Sequence, residues 1–471
     1  MPGRWENVPI GEKLFTNVGE TVLRKSNAAV ENAFYNEASG ITRFPGMVQF
    51  AELAANSPTY LHEWEGDLIA VSNSRIYKIT KDGTATDVTV IPLSGNFRPI
   101  FDRTTNELVI AAGAEILRFD GKTTELLSDN APRSTHVQFI DDFLLAVEVD
   151  TGVFFHCAAG DFRSWDPIDV FAANSKPDQL NGMIVTPYRE VILTGVDSIE
   201  QFNRLNSGTS PFYRRWSVGE GIKAPYTLAA FDQGVWGIDK KSTLNRFTGQ
   251  ISDPRSDDIG RTLEGVKNWT DAWGAEVNLL GQKFYLLQIP NSENIYGNNG
   301  ITALYDIRQK KWFSLYGWDT KEFTPARWPG WSYYKMWERH FVGGNGKVLE
   351  LKDGVYRNDG VKQRALGRTA HIDSWGECSV DNVRIRVKRG IGLSDDPDAE
   401  QPTMYLTCVK DNKYRTRKIP KSLGGPGDTT MTLEFGRMGM ANTWQFEWEI
   451  DADCEFEIVN MQALVQSVGE K

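Results

Sequence analysis

Short pairs of apolar strands recur through the middle of the chain at a spacing that few folds repeat. Between residues 59 and 360, the pattern is an apolar run, a polar turn and a second apolar run that ends near an aromatic residue or a leucine. Neighbouring copies are 36 to 58 residues apart. One residue marks each copy: Tyr77, Phe119, Phe155, Phe202, Phe247, Tyr305 and Leu351. Repeats of about 40–50 residues are typical of β-propeller blades.

We therefore predict an all-β chain with a β-propeller-like body. The clearest copy, LYDIRQKKWFSL, places Tyr305 and Asp306 before a polar turn and Trp312 after it, as in an outer β-hairpin. Long amphipathic helical patterns are scarce, and the 15 Trp suit the space between stacked sheets. Two ordinary β-sandwiches would also give regularly spaced strands, so that alternative and the number of blades stay open.

The pattern changes on both sides of the repeats. After Gly360, segments such as VRIRVKR and WQFEWEI alternate strictly between apolar and polar residues and predict a C-terminal β-sandwich. The first residues are polar and irregular, which indicates an arm that packs on the propeller or on a neighbouring subunit. We expect an N-terminal arm with its leading strand over residues 1–58, a propeller-like domain over 59–360 and a sandwich over 361–471.

Motifs that carry catalysis are missing from the sequence. No two of the five histidines have the i, i+4 spacing of a metalloprotease helix, and GxSxG, GxxxxGK[ST] and GxGxxG do not occur. Four cysteines stand far apart without a CxxC pair, which predicts buried thiols. We expect no catalytic residue, no metal and no cofactor, although two acids from different blades could still converge as in a glycosidase.

Charge and hydropathy limit the partners. The formal net charge of −10 argues against tight sequence-independent binding to duplex DNA, because such binding comes mainly from neutralised phosphates. It does not argue against enclosing DNA. The start MPGRWENVPIGEK lacks the pattern of a secretory signal, and no stretch is apolar enough to span a membrane, so we expect no membrane partner.

One basic stripe stands out in this acidic chain. In VRIRVKR, an extended backbone places Arg384, Arg386 and Lys388 on the side opposite the apolar residues. Acidic strands, WQFEWEI and CEFEI, belong to the same region and are expected to turn their glutamates outward. If they lie beside the stripe, cross-strand ion pairs account for it. A contact with another protein and a contact with DNA are the alternatives.

Four short motifs follow one another along the chain. The first is RFPG, where Pro-Gly predicts a type II turn. The next two are an SKPD turn and a second turn, SIEQF, with Ser198, Glu200 and Phe202. The last is GRMG, expected as a turn before the final strands. In this order, the motifs resemble those of the packaged-DNA stabilisation or tail hub proteins of short-tailed bacteriophages. The matching residues are Arg43, Phe44, Pro45, Gly46, Ser175, Pro177, Asp178, Gly436, Arg437 and Gly439.

This resemblance implies a structural protein of the virion tail, made in the host cytoplasm. Proteins of this kind form a ring, usually of six copies, beneath the portal and its adaptor. The ring extends the channel, retains the packaged double-stranded DNA and docks needle, fibre or tailspike proteins. The alternatives are a carbohydrate-binding or carbohydrate-active propeller, suggested by the Trp-rich repeats and the run WPGWSYYKMWERHF, and a WD-type scaffold. The sequence lacks a sialidase-type box and repeating GH and WD dipeptides.

Overall fold

Seven antiparallel sheets are arranged around one axis, as blades I–VII. In the computed structural model, the described residues are 3–10, 29–36, 40–54, 56–173, 175–205, 210–388, 402–424 and 430–467. Each blade has four strands, and its innermost strand contacts those of the neighbouring blades. The β-propeller predicted from the repeats is confirmed, and the blade number is seven.

The strands of each blade run outward from the axis in sequence order through blade VI. Their bounds are, for blade I, Thr59–Trp64, Asp67–Ser72, Arg75–Ile79 and Ala85–Asp87; for blade II, Ile100–Arg103, Leu108–Ala111, Leu117–Phe119 and Thr124–Leu126; for blade III, Ser134–Ile140, Phe143–Glu148, Val153–Ala158 and Asp161–Ala172; for blade IV, Leu180–Val185, Glu190–Gly195, Ile199–Arg204 and Phe212–Val218; for blade V, Ile222–Phe231, Gly234–Asp239, Leu244–Thr248 and Ile251–Pro254; and for blade VI, Trp273–Leu279, Gln282–Glu293, Asn299–Asp306 and Lys311–Ser314. A 3₁₀ turn, Asp257–Ile259, and a short helix, Gly260–Glu264, follow blade V.

Blade VII closes the circle with strands from two distant parts of the chain. Its inner three strands are Ser332–Met336, Arg339–Gly343 and Lys347–Lys352, and its outermost strand, Gly46–Glu52, precedes blade I in the sequence. Gly46–Glu52 pairs antiparallel with Lys347–Lys352, so the last blade is complete only when both parts meet. A hairpin, Tyr316–Asp319 with Thr324–Arg327, connects blades VI and VII.

The repeat residues chosen from the sequence occupy one equivalent position. All seven lie on the third strand of successive blades, from Tyr77 in blade I to Leu351 in blade VII. In the third-to-fourth-strand hairpin of blade VI, Tyr305 faces Trp312 across the pair, as predicted. The repeat is visible in the sequence because this strand always places a large apolar side chain between neighbouring blades, where burial is greatest.

The remaining strands form a C-terminal sandwich of two sheets. One sheet contains Ala33–Tyr35, Ile41–Arg43, Glu457–Ser467, Cys378–Lys388 and Thr430–Ala441, with Arg4–Asn7 beside Glu457–Ser467. The other continues blade VI through Ala29–Glu31, Ala365–Arg368, Trp444–Ile450 and Thr403–Lys410, to which Tyr414–Arg415 and Ile419–Ser422 pair. A small hairpin, Arg357–Asn358 with Val361–Lys362, packs beside Gly46–Glu52.

Propeller and sandwich share one apolar core. A single cluster of buried side chains includes Phe34 and Phe44 near the N-terminus, Phe313 of blade VI, Leu349 of blade VII and Trp444 of the sandwich. Residues 29–52, assigned from the sequence to an arm, supply strands to both units. The two units are therefore joined by buried packing, which resists relative motion far better than a linker does.

Candidate functional site: the junction of propeller and sandwich

The RFPG motif carries the chain from the sandwich into the propeller. Arg43 ends the sandwich strand Ile41–Arg43, and Gly46 begins the outermost strand of blade VII. This passage from one unit to the other is the first crossing. The second crossing, residues 352–365, leads back from the propeller to the sandwich. The two crossings lie side by side, because the amide of Gly46 donates to the carbonyl of Val355 at 2.6 Å.

Arg43 fastens these crossings to the sandwich. Its side chain is only 2% exposed, and its guanidinium donates to four backbone carbonyls. Tyr356 and Gln363 supply two of these from the second crossing, the former at 3.3 Å, and Ala452 and Cys454 supply two from a sandwich loop, the latter at 3.0 Å. Burial lowers the pKa of Arg43 to about 10, so it stays charged at neutral pH.

The rest of the motif is shaped by close packing, and the predicted type II turn is wrong. Such a turn needs a positive φ at its second central residue, whereas Gly46 has none and lies in a strand. Glycine is required for another reason: a Cβ there would lie 2.3 Å from the carbonyl oxygen of Arg357. Phe44 is buried in the shared core, and the carbonyl of Pro45 accepts from Gln363 at 3.4 Å.

A second junction element is a network of buried charges that the sequence analysis missed. Glu31 is 1% exposed and accepts from the hydroxyl of Tyr296 at 2.7 Å and from Arg364 at 3.1 Å. Arg368 lies 3.5 Å from Glu31 and donates to Glu447 at 2.6 Å. The network thus joins the N-terminal strand, blade VI, the second crossing and the sandwich. The only sign of this network in the sequence is Glu31 itself, a single carboxylate within the otherwise largely apolar segment AVENAFY.

The electrostatics of this network favour its charged state. Burial alone would raise the pKa of Glu447, but Arg368 and Arg415 outweigh it and the pKa is lowered. Burial and the neighbouring Glu31 raise the pKa of Tyr296, so its hydroxyl stays protonated and can donate. Buried ion pairs of this kind are costly to break once formed, because one removed partner leaves the other unpaired in a low-dielectric site.

The SKPD turn binds the start of the third strand of blade IV. SIEQF is not a turn, because Glu200 and Phe202 lie on the strand Ile199–Arg204 and Ser198 directly precedes it. The carboxylate of Asp178 in SKPD accepts from the amide of Asp197 at 2.7 Å and from the hydroxyl of Ser198 at 3.0 Å. In return, the amide of Ser175 donates to Glu200 at 2.7 Å. Pro177 is exposed at the tip of the turn. The motif therefore fastens the connection between blades III and IV onto blade IV.

We expect Asp178→Ala to lower the free energy of unfolding by about 1–3 kcal/mol, since it leaves an amide and a hydroxyl without their acceptor. Urea unfolding followed by tryptophan fluorescence measures this loss. Asp82→Ala, which removes an exposed turn aspartate in blade I, is the control and should cost less than about 1 kcal/mol. Equal losses in both variants would contradict the assigned role.

GRMG is a β-bulge and not a turn, which corrects the sequence prediction. It lies inside the strand Thr430–Ala441, where Arg437 and Gly439 have φ of 66° and 86°. The pairing with Cys378–Lys388 shifts between Gly436 and Gly439, so that one extra residue is accommodated. The bulge turns Met438 into the core and leaves Arg437 exposed. Residues 442–443 connect this strand to Trp444–Ile450 in the other sheet, so the two strands do not form the expected hairpin.

The basic stripe lies on the outer face of one sandwich sheet, but not beside WQFEWEI. That acidic strand belongs to the other sheet, and its Glu447 and Glu449 are buried beneath basic side chains instead of facing outward, which corrects both expectations. Lys388 pairs with Glu457 of CEFEI at 3.4 Å. Only this part of the predicted ion pairing is present in the described sheet.

The two arginines of the stripe differ in their surroundings. Arg384 donates to Gln462 at 2.7 Å and lies 4.0 Å above the ring of Trp5, so it holds the N-terminal strand. Arg386 is exposed, and no carboxylate pairs with it among the residues that the structure describes. Arg386 is therefore the member of the stripe that is available to another molecule.

The axis of the propeller is filled by side chains. His136 of blade III stacks on Tyr226 of blade V with ring centroids 5.9 Å apart, although blade IV lies between them in sequence order. Arg98, before blade II, lies 5.1 Å from the ring of Trp273 in blade VI. Contacts between non-neighbouring blades can form only across the axis. Since the major groove of DNA alone is about 12 Å wide, no duplex passes here.

The chemistry of the other candidate side chains is unremarkable. Burial lowers the pKa of His136 to about 4 and raises that of Cys157 to about 11, and all four cysteines are buried thiols, as predicted. Within the described ranges, no group of three or more His, Cys, Asp or Glu could hold a metal, and no helix is long and apolar enough to cross a membrane. The expected absence of catalysis, metal and cofactor stays a prediction.

The aromatic run that suggested sugar binding fills the core. It forms the hairpin Ser332–Met336 and Arg339–Gly343, with Trp328 and Phe341 fully buried. The guanidinium of Arg327 covers the ring of Trp331 at 3.9 Å. The other aromatic residues of the run, among them Tyr333 and Trp337, are half-buried. The carbohydrate alternative stays a prediction.

Comparison with known families identifies the relatives of this propeller. The family described as Bacteriophage P22 Gp10, beta-propeller (Phage_stabilise), matches residues 27–352. The chain belongs to this family. The match to the P22 Gp10 propeller family starts before RFPG and ends on the strand Lys347–Lys352, so it covers all seven blades and the strand that closes them. The family recognised from the motifs is confirmed, and the protein is a bacteriophage structural protein.

Solved structures share the P22 Gp10-type propeller only distantly. Virginiamycin B lyase from Staphylococcus aureus has 10% identity and a TM-score of 0.40 over 64% of this chain and 96% of that one. BamB from Moraxella catarrhalis has 11% identity and a TM-score of 0.38 over 66% and 98%. No curated protein sequence matches the chain. With TM-scores this low, the lyase and BamB bear on neither activity nor partners.

Proposed function

We propose that this phage structural protein is a tail hub. Six copies assemble in a ring beneath the portal and its adaptor protein, extend the DNA channel, retain the packaged double-stranded DNA and dock needle, fibre or tailspike proteins. The observation that carries the proposal is the match of the whole propeller to the P22 Gp10 family.

The filled axis supports an arrangement in a ring. Because His136, Tyr226 and Arg98 occupy the centre of each propeller, DNA must run between copies and not through one of them. A heterologous contact repeated by rotation closes into a ring around such a passage. The outermost strands of blades I, II and V have only three or four residues, and such short edges do not invite unspecific sheet pairing. The outermost strand of blade III is longer, with 12 residues.

The junction supports a role under mechanical stress. Pressure from the packaged genome acts on the ring from inside, and each copy must transmit it without bending. Arg43 and the Glu31 network join propeller and sandwich through four chain segments, so a force on one unit reaches the other through buried contacts. A mobile linker would not transmit it.

The experiment that tests the ring uses the full chain with the portal adaptor of its phage. Native mass spectrometry and electron microscopy are expected to show a ring with a central passage in the presence of the adaptor. A chain that stays monomeric with the adaptor, and that is missing from purified virions, contradicts the proposal. Virions depleted of the protein should release their DNA spontaneously, which a nuclease-protection assay measures.

We expect Arg386→Glu to impair assembly while leaving the fold intact. In the proposed ring, the exposed Arg386 faces an acidic surface of a neighbouring protein, and charge reversal replaces attraction by repulsion. Its effect on unfolding should stay within about 0.5 kcal/mol, because the Arg386 side chain itself is exposed. The measurements are particle yield and infectivity.

The matched comparison is Arg384→Glu, which removes the contacts with Trp5 and Gln462 and should therefore also destabilise the chain. Normal particle yield and infectivity of Arg386→Glu would show that the stripe makes no contact between proteins.

A further inference from the structure

One cation at the axis, Arg98, has no direct contact with a carboxylate of the described residues. The guanidinium of Arg98 lies between two aromatic rings, 4.8 Å from the ring centre of Tyr60 and 5.1 Å from that of Trp273. These rings belong to the innermost strands of blades I and VI, at the end of the axis where innermost strands begin. Arg98 thus lies at one end of the propeller axis.

Arg98 has donors but no acceptors. Its Nη1 atom is shielded from solvent and has no hydrogen-bond partner, and across the described ranges no carboxylate lies within 4.0 Å of the guanidinium. The rest of the side chain is partly exposed. A buried donor of a charged group normally has a partner, because burying it without one is unfavourable. An arginine in this state points to a ligand that the protein itself does not supply.

A second arginine adds to the positive charge. The charge of Arg327, like that of Arg98, lowers the pKa of Tyr60 against the effect of burial. The guanidinium of Arg327 makes only a long hydrogen bond, to the carbonyl of Gly330 at 3.4 Å. Asp271 acts on both Tyr60 and Arg98 from beyond direct contact, so two guanidinium groups share one carboxylate. Burial lowers the pKa of Arg98 and lowers that of Arg327 to about 10, and arginine keeps its charge in proteins.

We propose that this end of the propeller axis binds a small oxyanion of phosphate or carboxylate size. Arg98 provides the charge, and the hydroxyl groups of Tyr60 and Tyr226 provide neutral donors beside it. Burial raises the pKa of both tyrosines, that of Tyr226 to about 12, so each keeps its proton. The aromatic rings shield the ion pair from water, which strengthens it. This site does not depend on the proposed role in the tail.

Isothermal titration of the full chain with inorganic phosphate, at constant ionic strength, tests the site. The wild-type chain is expected to bind one phosphate, and Arg98→Gln to bind it about 10-fold more weakly or worse, since a hydrogen bond to a charged group is lost. Arg339→Gln is the matched control. Arg339 also lies over aromatic rings, those of Phe50 and Phe341, but it already pairs with Glu350 at 2.5 Å. Its variant should keep the wild-type affinity.

A structural readout keeps the test decisive if Arg98→Gln does not fold. Crystals of the wild-type chain soaked in selenate should show an anomalous peak next to the Arg98 guanidinium, and Arg327→Gln should weaken phosphate binding. The proposal fails if the wild-type chain binds no phosphate, if Arg98→Gln binds it as tightly, or if the selenate lies only at surface positions as an adventitious ion.

Discussion

Replacing Arg43 with methionine is expected to lower the free energy of unfolding by about 3–5 kcal/mol. Methionine fills much of the same volume, but it leaves four buried carbonyls in two segments without their donor. Urea unfolding of the full chain, followed by tryptophan fluorescence, measures the loss. The propeller and the sandwich should also unfold at separate urea concentrations, because the variant weakens what joins them.

Two further variants define what Arg43 contributes. Arg43→Lys keeps the charge but cannot reach all four carbonyls with one ammonium group, so most of the loss should remain. Arg75→Met removes an exposed arginine that pairs with Asp87 and should cost less than about 1 kcal/mol. A loss below about 1 kcal/mol for Arg43→Met would mean that the junction is held elsewhere.

Glu31→Gln is expected to destabilise the chain by a similar amount, about 3–5 kcal/mol. The amide still accepts from the hydroxyl of Tyr296, but it cannot neutralise Arg364 and Arg368, whose charges then remain buried with less compensation. Calorimetric unfolding should show one transition for the wild-type chain and two for the variant.

A double-mutant cycle separates the ion pair from general disruption. Arg364→Gln alone should also destabilise the chain, whereas Glu31→Gln combined with Arg364→Gln should cost clearly less than the sum of the two, because they share one interaction. Glu264→Gln, at an exposed helical position, serves as the control. Additive losses in the cycle would contradict a direct coupling between Glu31 and Arg364.

The propeller could be predicted from the sequence because its signal is local. Each third strand places a large apolar residue at an equivalent position, so Tyr77 and its six equivalents reveal the repeat without any long-range information. The closure of the ring could not be predicted. Gly46–Glu52 pairs with Lys347–Lys352, about 300 residues later in the sequence. Neither strand has a residue pattern from which the other could be recognised as its partner.

The motifs located the junction but not its chemistry. RFPG and GRMG suggested turns because Pro-Gly and paired glycines are common there, yet Gly46 serves a close approach of two backbones and Gly439 a bulge. The Glu31 network was missed because its arginines follow more than 330 residues later in the sequence. Sequence motifs depend on a short, fixed spacing between residues, and charged partners so far apart have none. Ring number and docking partners remain predictions for the same reason: they depend on other chains.

The strand that completes blade VII has a consequence for how the chain is made. Gly46–Glu52 leaves the ribosome early, but its partner Lys347–Lys352 follows about 300 residues later. At about 5–20 residues per second, the first strand waits about 15–60 s with an unpaired edge. Six blades can form in the meantime, yet the circle stays open until translation is nearly finished. We therefore expect nascent chains that stall late to aggregate most readily, because the edge of Gly46–Glu52 is still unpaired in them.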